Sequence, residues 1–432
     1  MSVPPRIDVK GWCPGALRPM ESGDGLVVRV RPRAGAFSLV EWALLAGAAA
    51  EFGNSHLDLT RRANVQIRGV TSETLPLLQA RLGASGLIDN SAAAEAVRNI
   101  MLSPLTGLDV AEAVDLRPVA RTLSGKLARS TDLHQLAAKF GFVLDGGGTA
   151  SIQDDRADIR LLALDAVTVA IAFDTAAETV WLGRGSMERA AEHAARLARL
   201  FLDHAPPMCA GRVRHLAADR RNALFAAAAA GLAPLPEGFT GTRANARRPI
   251  GLVAGTGAAW VAGVGLPFGQ ITVAELTTLI DTAAAAGAVE MRLSPWRILY
   301  VPCGSRAAAE SVLECAERQG LPTQADAPLL RFAACPGAPW CRSAAGETRA
   351  LARGLAAAWS DTLARVTVHV SGCRKGCAAS HHSDLTLVAE DGGFAVITAG
   401  RASDLPLAHI DRAALATDPA CLFALLDGAV HA

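Results

Sequence analysis

The stretch VVRVRPRAGAFSLVEWALLAGAAAEF, residues 27–52, returns as VAGVGLPFGQITVAELTTLIDTAAAA, residues 261–286, at a shift of 234 positions (27 to 261). Each copy begins with an apolar run typical of a strand, turns at Gly35 or Gly269, and continues as an apolar stretch of helical composition. A second β-rich run follows each copy, HLDLTRRANVQIRGV in one case and VEMRLSPWRILYVPC in the other. The pattern predicts a β-α-β unit present twice, too widely spaced for a solenoid.

Both predicted helices begin with the same capping box. Ser38 and Thr272 supply the capping hydroxyls, and Glu41 and Glu275 supply the carboxylates three residues later. We infer a gene duplication that gives two pseudo-equivalent halves. We expect the segments near 25–70 and 258–302 to superpose and to share one mixed β layer across a pseudo-twofold axis.

The segments downstream of each copy are also similar. VRNIMLSP follows the first copy and LRFAACPG follows the second, so that Arg98 corresponds approximately to Arg331. Further on, KFGFVLDGGG and VTVHVSGCRKGC are both β-rich runs that end in a Gly-containing turn. Each half therefore contains a small β-α-β piece and a larger α/β piece.

Composition excludes several classes of protein. The chain has 432 residues with 42 Lys+Arg against 41 Asp+Glu, so it has no general nucleic-acid-binding charge. The start, MSVPPRIDVKGW, lacks the apolar run of a signal peptide. The longest uncharged stretch, Pro249–Ala274, contains six glycines and Pro267, which favours buried strands and turns over a membrane helix. We expect a cytoplasmic protein without a membrane partner.

Four of the nine cysteines form two close pairs, Cys335-PGAPW-Cys341 and Cys373-RKG-Cys377, with 31 residues between them. The odd total argues against a disulfide framework. Thiolates suit iron–sulfur clusters or zinc. The five-residue gap is wider than the spacing of most structural zinc sites, so an iron–sulfur cluster is favoured over zinc or chance pairing. A predicted helix, residues 342–360, would bring the second pair beside the first.

The spacing Cys-x5-Cys and Cys-x3-Cys, together with the duplication, resembles the sulfite and nitrite reductase hemoprotein family over nearly the whole chain. The resemblance implies a [4Fe–4S] cluster on Cys335, Cys341, Cys373 and Cys377, with siroheme between the halves and Cys377 nearest to it. It also implies an α+β fold of two pseudo-twofold-related halves, each with a ferredoxin-like half-domain and a larger α/β domain. The predicted boundaries are 1–75 (first half-domain), 76–248 (first larger domain and linker), 249–325 (second half-domain) and 326–432 (second larger domain, with the cluster).

The family's basic ligands of substrate and tetrapyrrole can be placed by motif. LTRRANVQ gives Arg62, the triplet Arg98-Asn99-Ile100 gives Arg98, and the Lys-Phe-Lys motif gives Lys139. Strict alternation would put Asn64, Gln66 and Arg68 on the same polar strand face as Arg62. Two departures separate this chain from the reductases: Gly141 replaces the second lysine, and Arg374-Lys375 replaces a usual Pro-Asn.

A second branch of the family, the precorrin-3B synthases of aerobic cobalamin biosynthesis, resembles the chain more closely. The resemblance implies a monooxygenation in which precorrin-3A, dioxygen and NADH give precorrin-3B, hydroxylated at a meso carbon and closed as a γ-lactone. The motifs that carry it are CPGALRPMESGDGLVVRVRP (13–32), LAAKFGFVLDGGG (136–148), LSPWR (293–297) and SGCRKGCAASHHSDL (371–385).

This branch implies further cofactors and partners. It is associated with a mononuclear non-heme iron, for which His381 and His382 could be ligands, although a solvated loop pair is the simpler interpretation. No dinucleotide-binding GxGxxG lies between a strand and a helix, so NADH is expected to act through a separate reductase. Cys13 is interpreted as a free thiol. The alternative function is a siroheme-dependent sulfite or nitrite reductase; a simple electron carrier would not need two large halves.

Overall fold

The computed structural model describes residues 13–205, 211–242, 246–358, 366–379, 381–417 and 422. In chain order the strands are β1 (Met20–Ser22), β2 (Gly25–Val30), β3 (Ala36–Ser38), β4 (His56–Leu59), β5 (Val65–Val70), β6 (Ile100–Leu102), β7 (Phe142–Asp145), β8 (Ile159–Ala163), β9 (Thr168–Asp174), β10 (Thr179–Ser186), β11 (Gly251–Ala254), β12 (Trp260–Gly265), β13 (Gln270–Thr272), β14 (Glu290–Leu293), β15 (Ile298–Cys303), β16 (Phe332–Ala334), β17 (Val368–Ser371), β18 (Ser383–Glu390), β19 (Gly393–Gly400) and β20 (Ala408–Asp411). The helices are α1 (Leu39–Phe52), α2 (Leu75–Ala84), α3 (Ala92–Val97), α4 (Arg117–Arg129), α5 (Ala190–His204), α6 (Ala218–Ala229), α7 (Val273–Ala285), α8 (Arg306–Arg318), α9 (Arg349–Ala357) and α10 (Arg412–Thr417). Among the described helices, none has the length and apolar character needed to cross a bilayer.

The two copies of the β-α-β repeat exchange one strand with each other. One sheet has the order β1-β2-β5-β4-β13, and the other has the order β11-β12-β15-β14-β3. Neighbouring strands in both sheets are antiparallel. The exchanged strands β3 and β13 immediately precede α1 and α7. Each half-domain therefore completes its sheet with backbone groups of the other, which joins the halves.

The exchange follows the sequence repeat residue by residue. Phe37 of β3 pairs with Met291, and Ile271 of β13 pairs with Leu57. A shift of 234 positions (37 to 271, and 57 to 291) converts one pair into the other. The registers are therefore related by the predicted pseudo-twofold symmetry.

The predicted capping boxes are present at both helix starts. Ser38 and Thr272 each accept a hydrogen bond from the N–H of the glutamate three residues later, at 3.2 Å in both copies, and each glutamate carboxylate accepts from the capping residue's own N–H. A side-chain cap of this kind stabilises a helix by about 1 kcal/mol. The caps also fix the point where each exchanged strand turns into its helix.

The expectation of one shared β layer is wrong, although the contact between the copies is confirmed. The repeats form two separate antiparallel sheets linked by the exchanged strands. A single hydrophobic core lies between them and includes residues of both copies, such as Trp42 and Leu276. The Trp42 indole N–H also donates to the Met291 carbonyl at 3.1 Å, so the first helix is bonded directly to the second sheet.

The two larger sheets repeat each other's topology. In β6-β7-β8-β9-β10 and in β16-β17-β18-β19-β20 the first three strands are parallel and the last two join antiparallel. The duplication therefore extends to the larger pieces, as their similar segments predicted. Lys139 precedes β7 in the first half, whereas Cys335 and Cys373 follow β16 and β17 in the second.

The predicted helix between the cysteine pairs is shorter than expected. It begins at Arg349 rather than Arg342 and ends at Ala357, and Ser360 lies outside the described residues. Residues 342–348 use their backbone elsewhere: Ala345 donates to the Gly372 carbonyl at 2.8 Å, and the Gly346 carbonyl accepts from Ala338 at 2.9 Å. These bonds tie the two cysteine loops together at the expense of helical turns.

Candidate functional site

The four predicted cluster ligands lie in the two loops that follow β16 and β17 at one edge of the last sheet. Because β16 and β17 are parallel neighbours, the segments that follow them start on the same side. Cys335 comes directly after β16, and Cys373 follows β17 by two residues. The N–H of Gly372 donates to the Cys335 sulfur at 3.2 Å. Backbone donors to cysteine sulfur are one means by which proteins tune iron–sulfur clusters.

The four sulfurs lie close enough to influence one another's ionisation. Burial raises the pKa of Cys373, and the Cys335 and Cys341 thiols raise it further. Burial also raises the pKa of Cys377 to about 11, while Lys375 lowers it and the other three thiols raise it. The Cys373 and Cys377 thiols would thus stay protonated on their own. A bound iron centre reverses this preference, because metal ligation deprotonates a thiol outright.

The donor set fits a cluster better than a single ion. All four cysteines are free thiols. Within the described ranges, no three His, Cys, Asp or Glu side chains are placed to hold one metal ion. A cubane cluster does not require such convergence, because each thiolate binds a different iron. The same finding leaves the mononuclear iron without a ligand set in the described part of the chain.

Cys335 and Cys377 line a cavity of about 400 Å³ between the last domain and the first half-domain. The opposite wall comes from β4, β5 and the turn between them. Apolar surface comes from Leu59 and Phe268. The cavity is strongly basic, since its lining includes the guanidinium groups of Arg29, Arg61, Arg62, Arg68, Arg297 and Arg349.

Several of these arginines lack an acceptor for a buried nitrogen. The Nε atoms of Arg29, Arg297 and Arg349 are buried and have no hydrogen-bond partner among the described residues. Burial lowers the pKa of Arg297 to about 10, and the charges of Arg61 and Arg349 lower it further. Burial likewise lowers the pKa of Arg29, against a raising effect of the Cys13 thiol. Arg349 also pairs with Asp58 through Nη2 at 3.2 Å. A buried nitrogen of a cation without an acceptor is costly, so these residues are placed for an anionic ligand.

A second cavity of about 210 Å³ shares Arg61, Phe268, Arg297 and Ala378 with the first. Its wall adds further basic side chains, and it also includes Asp155, whose pKa is raised by burial. The basic residues particular to it are Arg248, Arg331 and His381. The two cavities together form a branched cleft with a positive lining.

His369 on β17 lies near the positively charged lining of this cleft. It is fully buried, and neither ring nitrogen has a partner among the described residues. Its pKa is lowered to about 4, mainly by burial and in addition by the nearby charges of His381, Arg297 and Arg61. The imidazole is therefore neutral at physiological pH.

The predicted polar strand face is only partly formed. Gln66 and Arg68 lie on β5 and line the cavity together, as alternation predicted. Arg62 also lines it, but from the turn before the strand. At Ala63 φ is 50°, so the extended backbone is interrupted and β5 begins only at Val65. Asn64 is buried, closes this turn through its backbone, and is not at the cavity wall, so its binding role stays a prediction.

The space that a side chain at Gly141, the position of the missing lysine, would fill is next to the guanidinium group of Arg62. A Cβ atom on Gly141 would lie 3.0 Å from Nη1 of Arg62. Arg62, one of the family's basic ligands placed by motif, therefore keeps a positive charge next to the position of the lost lysine. Lys139 is exposed and is not among the residues that line either cavity. Its ligand role also stays a prediction.

Arg98 is placed inside the protein rather than at the cavity. Its side chain is 2% exposed and its Nη2 lies 2.9 Å from the Asp89 carboxylate. Its Nη1 donates to the carbonyls of Arg31 and Pro32, at 3.2 and 3.3 Å. These contacts fasten the end of β2 to the segment around α3. The structure thus gives Arg98 a structural role, and tetrapyrrole binding by this residue stays a prediction.

Arg98→Ala is expected to lower the free energy of unfolding by about 3–5 kcal/mol, because it leaves Asp89 as an uncompensated buried charge. Equilibrium urea denaturation followed by circular dichroism measures the change. Arg33→Ala is the matched control, since Arg33 is 53% exposed and its nitrogen is 3.8 Å from the same Asp89. Unchanged stability in Arg98→Ala, combined with a specific loss of tetrapyrrole binding, would instead favour the original ligand assignment.

Three residues with open roles are also located. Cys13 is a free thiol, as interpreted from the sequence, and it lines the main cavity. His381 lines the second cavity, and its pKa is lowered by burial and by Arg61 and Arg248. His382 is exposed, and its Nδ1 lies 3.0 Å from the Ala399 carbonyl. The two histidines therefore face different surroundings.

Comparison with known proteins identifies the family. The family described as Nitrite/Sulfite reductase ferredoxin-like half domain matches residues 18–85. The chain is 32% identical over 416 residues to Precorrin-3B synthase of a Sinorhizobium species, which covers 93% of this chain and 85% of that protein. The chain belongs to the precorrin-3B synthase family. Both the predicted family and the prediction of an oxidoreductase are thereby confirmed.

The precorrin-3B synthase family lies among the sulfite and nitrite reductases, as other relatives of this chain indicate. Identity is 26% to Ferredoxin--nitrite reductase of Synechococcus elongatus, over 87% of this chain and 78% of that protein. It is 23% to Sulfite reductase [ferredoxin] 2 of Mycolicibacterium paratuberculosis, over 84% and 69%. The structure of the Mycobacterium tuberculosis NirA protein matches with a TM-score of 0.70 at 20% identity, over 90% of this chain and 77% of that one. The predicted fold is confirmed by this match.

The quoted family motifs include Arg29 and Arg297, but sequence reasoning did not single out the basic residues of the cavity other than Arg62. Arg29, Arg68, Arg297 and Arg349 were not proposed as ligands, although all four line the cavity. The sequence signal for Arg297 was its place in the LSPWR motif, and the structure adds a second. Arg297 aligns with Ala63 under the repeat (63 to 297), and both residues have a positive φ, 50° and 63°. The equivalent turn therefore presents a cation from each half of this precorrin-3B synthase family member.

Proposed function

We propose that the protein is a monooxygenase that converts precorrin-3A to precorrin-3B, with hydroxylation at a meso carbon and formation of a γ-lactone. The observation that carries the proposal is the set of buried Nε atoms without acceptors, on Arg29, Arg297 and Arg349, in the cavity that Cys335 and Cys377 also line. Precorrin-3A is a macrocycle with carboxylates around its rim. Arginine forks bind carboxylates bidentately, so the rim would satisfy nitrogens that are otherwise unpaired.

The cleft offers different surfaces to the rim and to the face of such a ring. Arg29, Arg62, Arg297 and Arg349 would take carboxylates, and Gln66 could bond a ring substituent. Leu59 and Phe268 would contact the apolar face. The branch into the second cavity would accept a peripheral acid chain beside Arg248 or Arg331. Orientation by several fixed cations would present one meso carbon consistently.

The proposed cofactor is a [4Fe–4S] cluster held by Cys335, Cys341, Cys373 and Cys377. When bound, it would supply single electrons to the chemistry in the cavity. The overall reaction places one oxygen atom of dioxygen in the product and reduces the other to water, with two electrons and two protons. NADH would supply the electrons through a separate reductase in the cytoplasm, and a mononuclear iron remains part of the proposal without assigned ligands.

The alternative is a siroheme-dependent sulfite or nitrite reductase, which the reductase relatives keep open. The contact between Gly141 and Arg62 gives one argument for the reductase and one against it. Arg62 restores a positive charge near the lost lysine, as a reductase would need. However, a bulky guanidinium fixed at that point leaves less space for a small oxyanion than a flexible lysine would.

The protein purified without air is expected to contain iron and labile sulfide but no chlorin-type absorption bands. A broad charge-transfer shoulder is the expected spectrum, because the cluster would be the main chromophore. Absorption spectroscopy with iron and sulfide analysis measures this directly. Strong chlorin bands from bound siroheme would favour the reductase, and tight zinc without sulfide would contradict the cluster.

A further inference from the structure

The carbonyl of Trp340, the residue just before Cys341, accepts three hydrogen bonds from the first half-domain. The N–H of Gly23 donates at 3.1 Å, the Ser22 hydroxyl at 2.9 Å, and Nη2 of Arg68 at 3.3 Å. These donors come from residues more than 270 positions away in the chain, namely the turn between β1 and β2 and strand β5. A carbonyl with this many partners is firmly fixed.

The contact is also close enough to require glycine at the tip of the turn. A Cβ atom on Gly23 would lie 2.6 Å from the Pro339 carbonyl oxygen and 2.8 Å from the backbone nitrogen of Cys341. The β1–β2 turn therefore rests directly on the backbone of the Cys335–Cys341 loop. Trp340 itself remains 42% exposed, so its backbone rather than its side chain makes the contact.

Arg68 is held rigidly while it makes this contact. It forms a bidentate pair with Asp24, with Nη2 at 2.8 Å and Nε at 2.9 Å, and it lies 3.6 Å from Asp58. Its Nη2 also donates to the Ser22 hydroxyl at 3.0 Å. Arg68 is buried and lines the main cavity as well. One side chain thus contacts the substrate cavity, the turn and the cysteine loop.

We propose that the β1–β2 turn and Arg68 form a positioning clamp that presets Cys341 for the cluster. The inference rests on the proposed cluster and adds a role for residues that bind neither iron nor substrate. The Cys335–Cys341 loop is long, and a thiolate at its far end needs external support to keep its place. The clamp supplies that support from the other half of the molecule. Assembly of the cluster site therefore depends on correct docking of the first half-domain.

Ser22→Ala is expected to make Cys341 more reactive and the iron more labile. The variant removes two hydrogen bonds of the hydroxyl, the one donated to the Trp340 carbonyl and the one accepted from Arg68. Loss of the bond to the loop should raise the population of the opened loop about fivefold. The full-length, anaerobically purified protein is exposed to an iron chelator and to iodoacetamide. Labelling of each cysteine is followed by peptide mass spectrometry. The expected result is about fivefold faster iron release, with Cys341 labelled earlier than Cys335, Cys373 and Cys377.

Two further variants distinguish this result from the effect of a general loss of stability. Ser22→Thr retains the hydroxyl and should restore the wild-type rates. Ser85→Ala removes a similar hydroxyl-to-carbonyl bond, 3.0 Å to Arg81, at an exposed helix end and should change nothing. Unchanged Cys341 labelling in Ser22→Ala, or an equal rise at all four thiols, overturns the clamp. If the protein holds no cluster, iron release cannot be measured, but the selective labelling of Cys341 still decides the clamp.

Discussion

Cys373→Ser is expected to reduce iron and labile sulfide to below about a tenth of the wild-type content, with loss of activity, because a soft thiolate ligand is replaced by a hydroxyl. The same result is expected for Cys335, Cys341 and Cys377, since the four thiols lie together at the edge of β16 and β17. Chemical analysis of iron and sulfide after anaerobic purification, with circular dichroism to verify folding, measures the effect.

The controls are two buried cysteines that do not line the cavity. Cys303→Ser and Cys315→Ser should retain the cluster, because both residues pack in or beside the half-domain core. Cys209 and Cys421, for which no effect was expected either, lie outside the described residues. Equal cluster loss in Cys303→Ser and Cys373→Ser would show a folding effect and remove the evidence for ligation.

Arg297→Gln is expected to weaken tetrapyrrole binding about 10- to 100-fold, the cost of one hydrogen-bonded charge pair. It should not lower the Tm of the unliganded protein. Burial lowers the pKa of Arg297 to about 10, so its charge persists at neutral pH but destabilises the folded state relative to the unfolded one. Glutamine removes that unfavourable charge and keeps the unbranched stem in the same left-handed backbone conformation. Fluorescence titration with uroporphyrin, an air-stable polycarboxylate macrocycle, measures binding.

The opposite directions of the two effects distinguish a ligand residue from a structural one. Arg306→Gln is the control, because Arg306 is 64% exposed and its contacts are peripheral, an ion pair with Glu310 on the same helix and a position over the Trp260 ring at 5.5 Å. It should alter neither binding nor Tm appreciably. A large fall in Tm for Arg297→Gln with unchanged uroporphyrin binding would mean that Arg297 supports the fold and is not a carboxylate anchor.

The sequence was most informative where a local pattern determines a local structure. The capping boxes at Ser38 and Thr272 follow from hydroxyl and carboxylate spacing alone, and both are present. The duplication was visible because each copy repeats a strand, a turn and a helix in the same order. The proximity of the cysteine pairs was predicted from a helix between them, which is shorter than expected; the parallel pairing of β16 and β17 is what starts both cysteine loops on one side.

The features that were missed depend on contacts between distant segments. β3 and β13 have three residues each, too few for periodicity to reveal that they pair with the other copy. Alternation placed Arg62 on one strand face with Gln66 and Arg68, but the positive φ of Ala63 separates Arg62 from β5. Arg98 and Arg297 are both arginines in family-like motifs. Only the structure separates the one paired with Asp89 from the one whose Nε has no acceptor among the described residues.

The most direct test of the account is the fate of dioxygen when precorrin-3A is supplied. Purified protein with reductant is given precorrin-3A under oxygen-18, and oxygen uptake is recorded together with the product mass. The account predicts uptake only when both precorrin-3A and reductant are present, one labelled oxygen atom in the product, and negligible sulfite or nitrite reduction. Robust turnover of sulfite or nitrite with siroheme bound, and no labelled product from precorrin-3A, would contradict it.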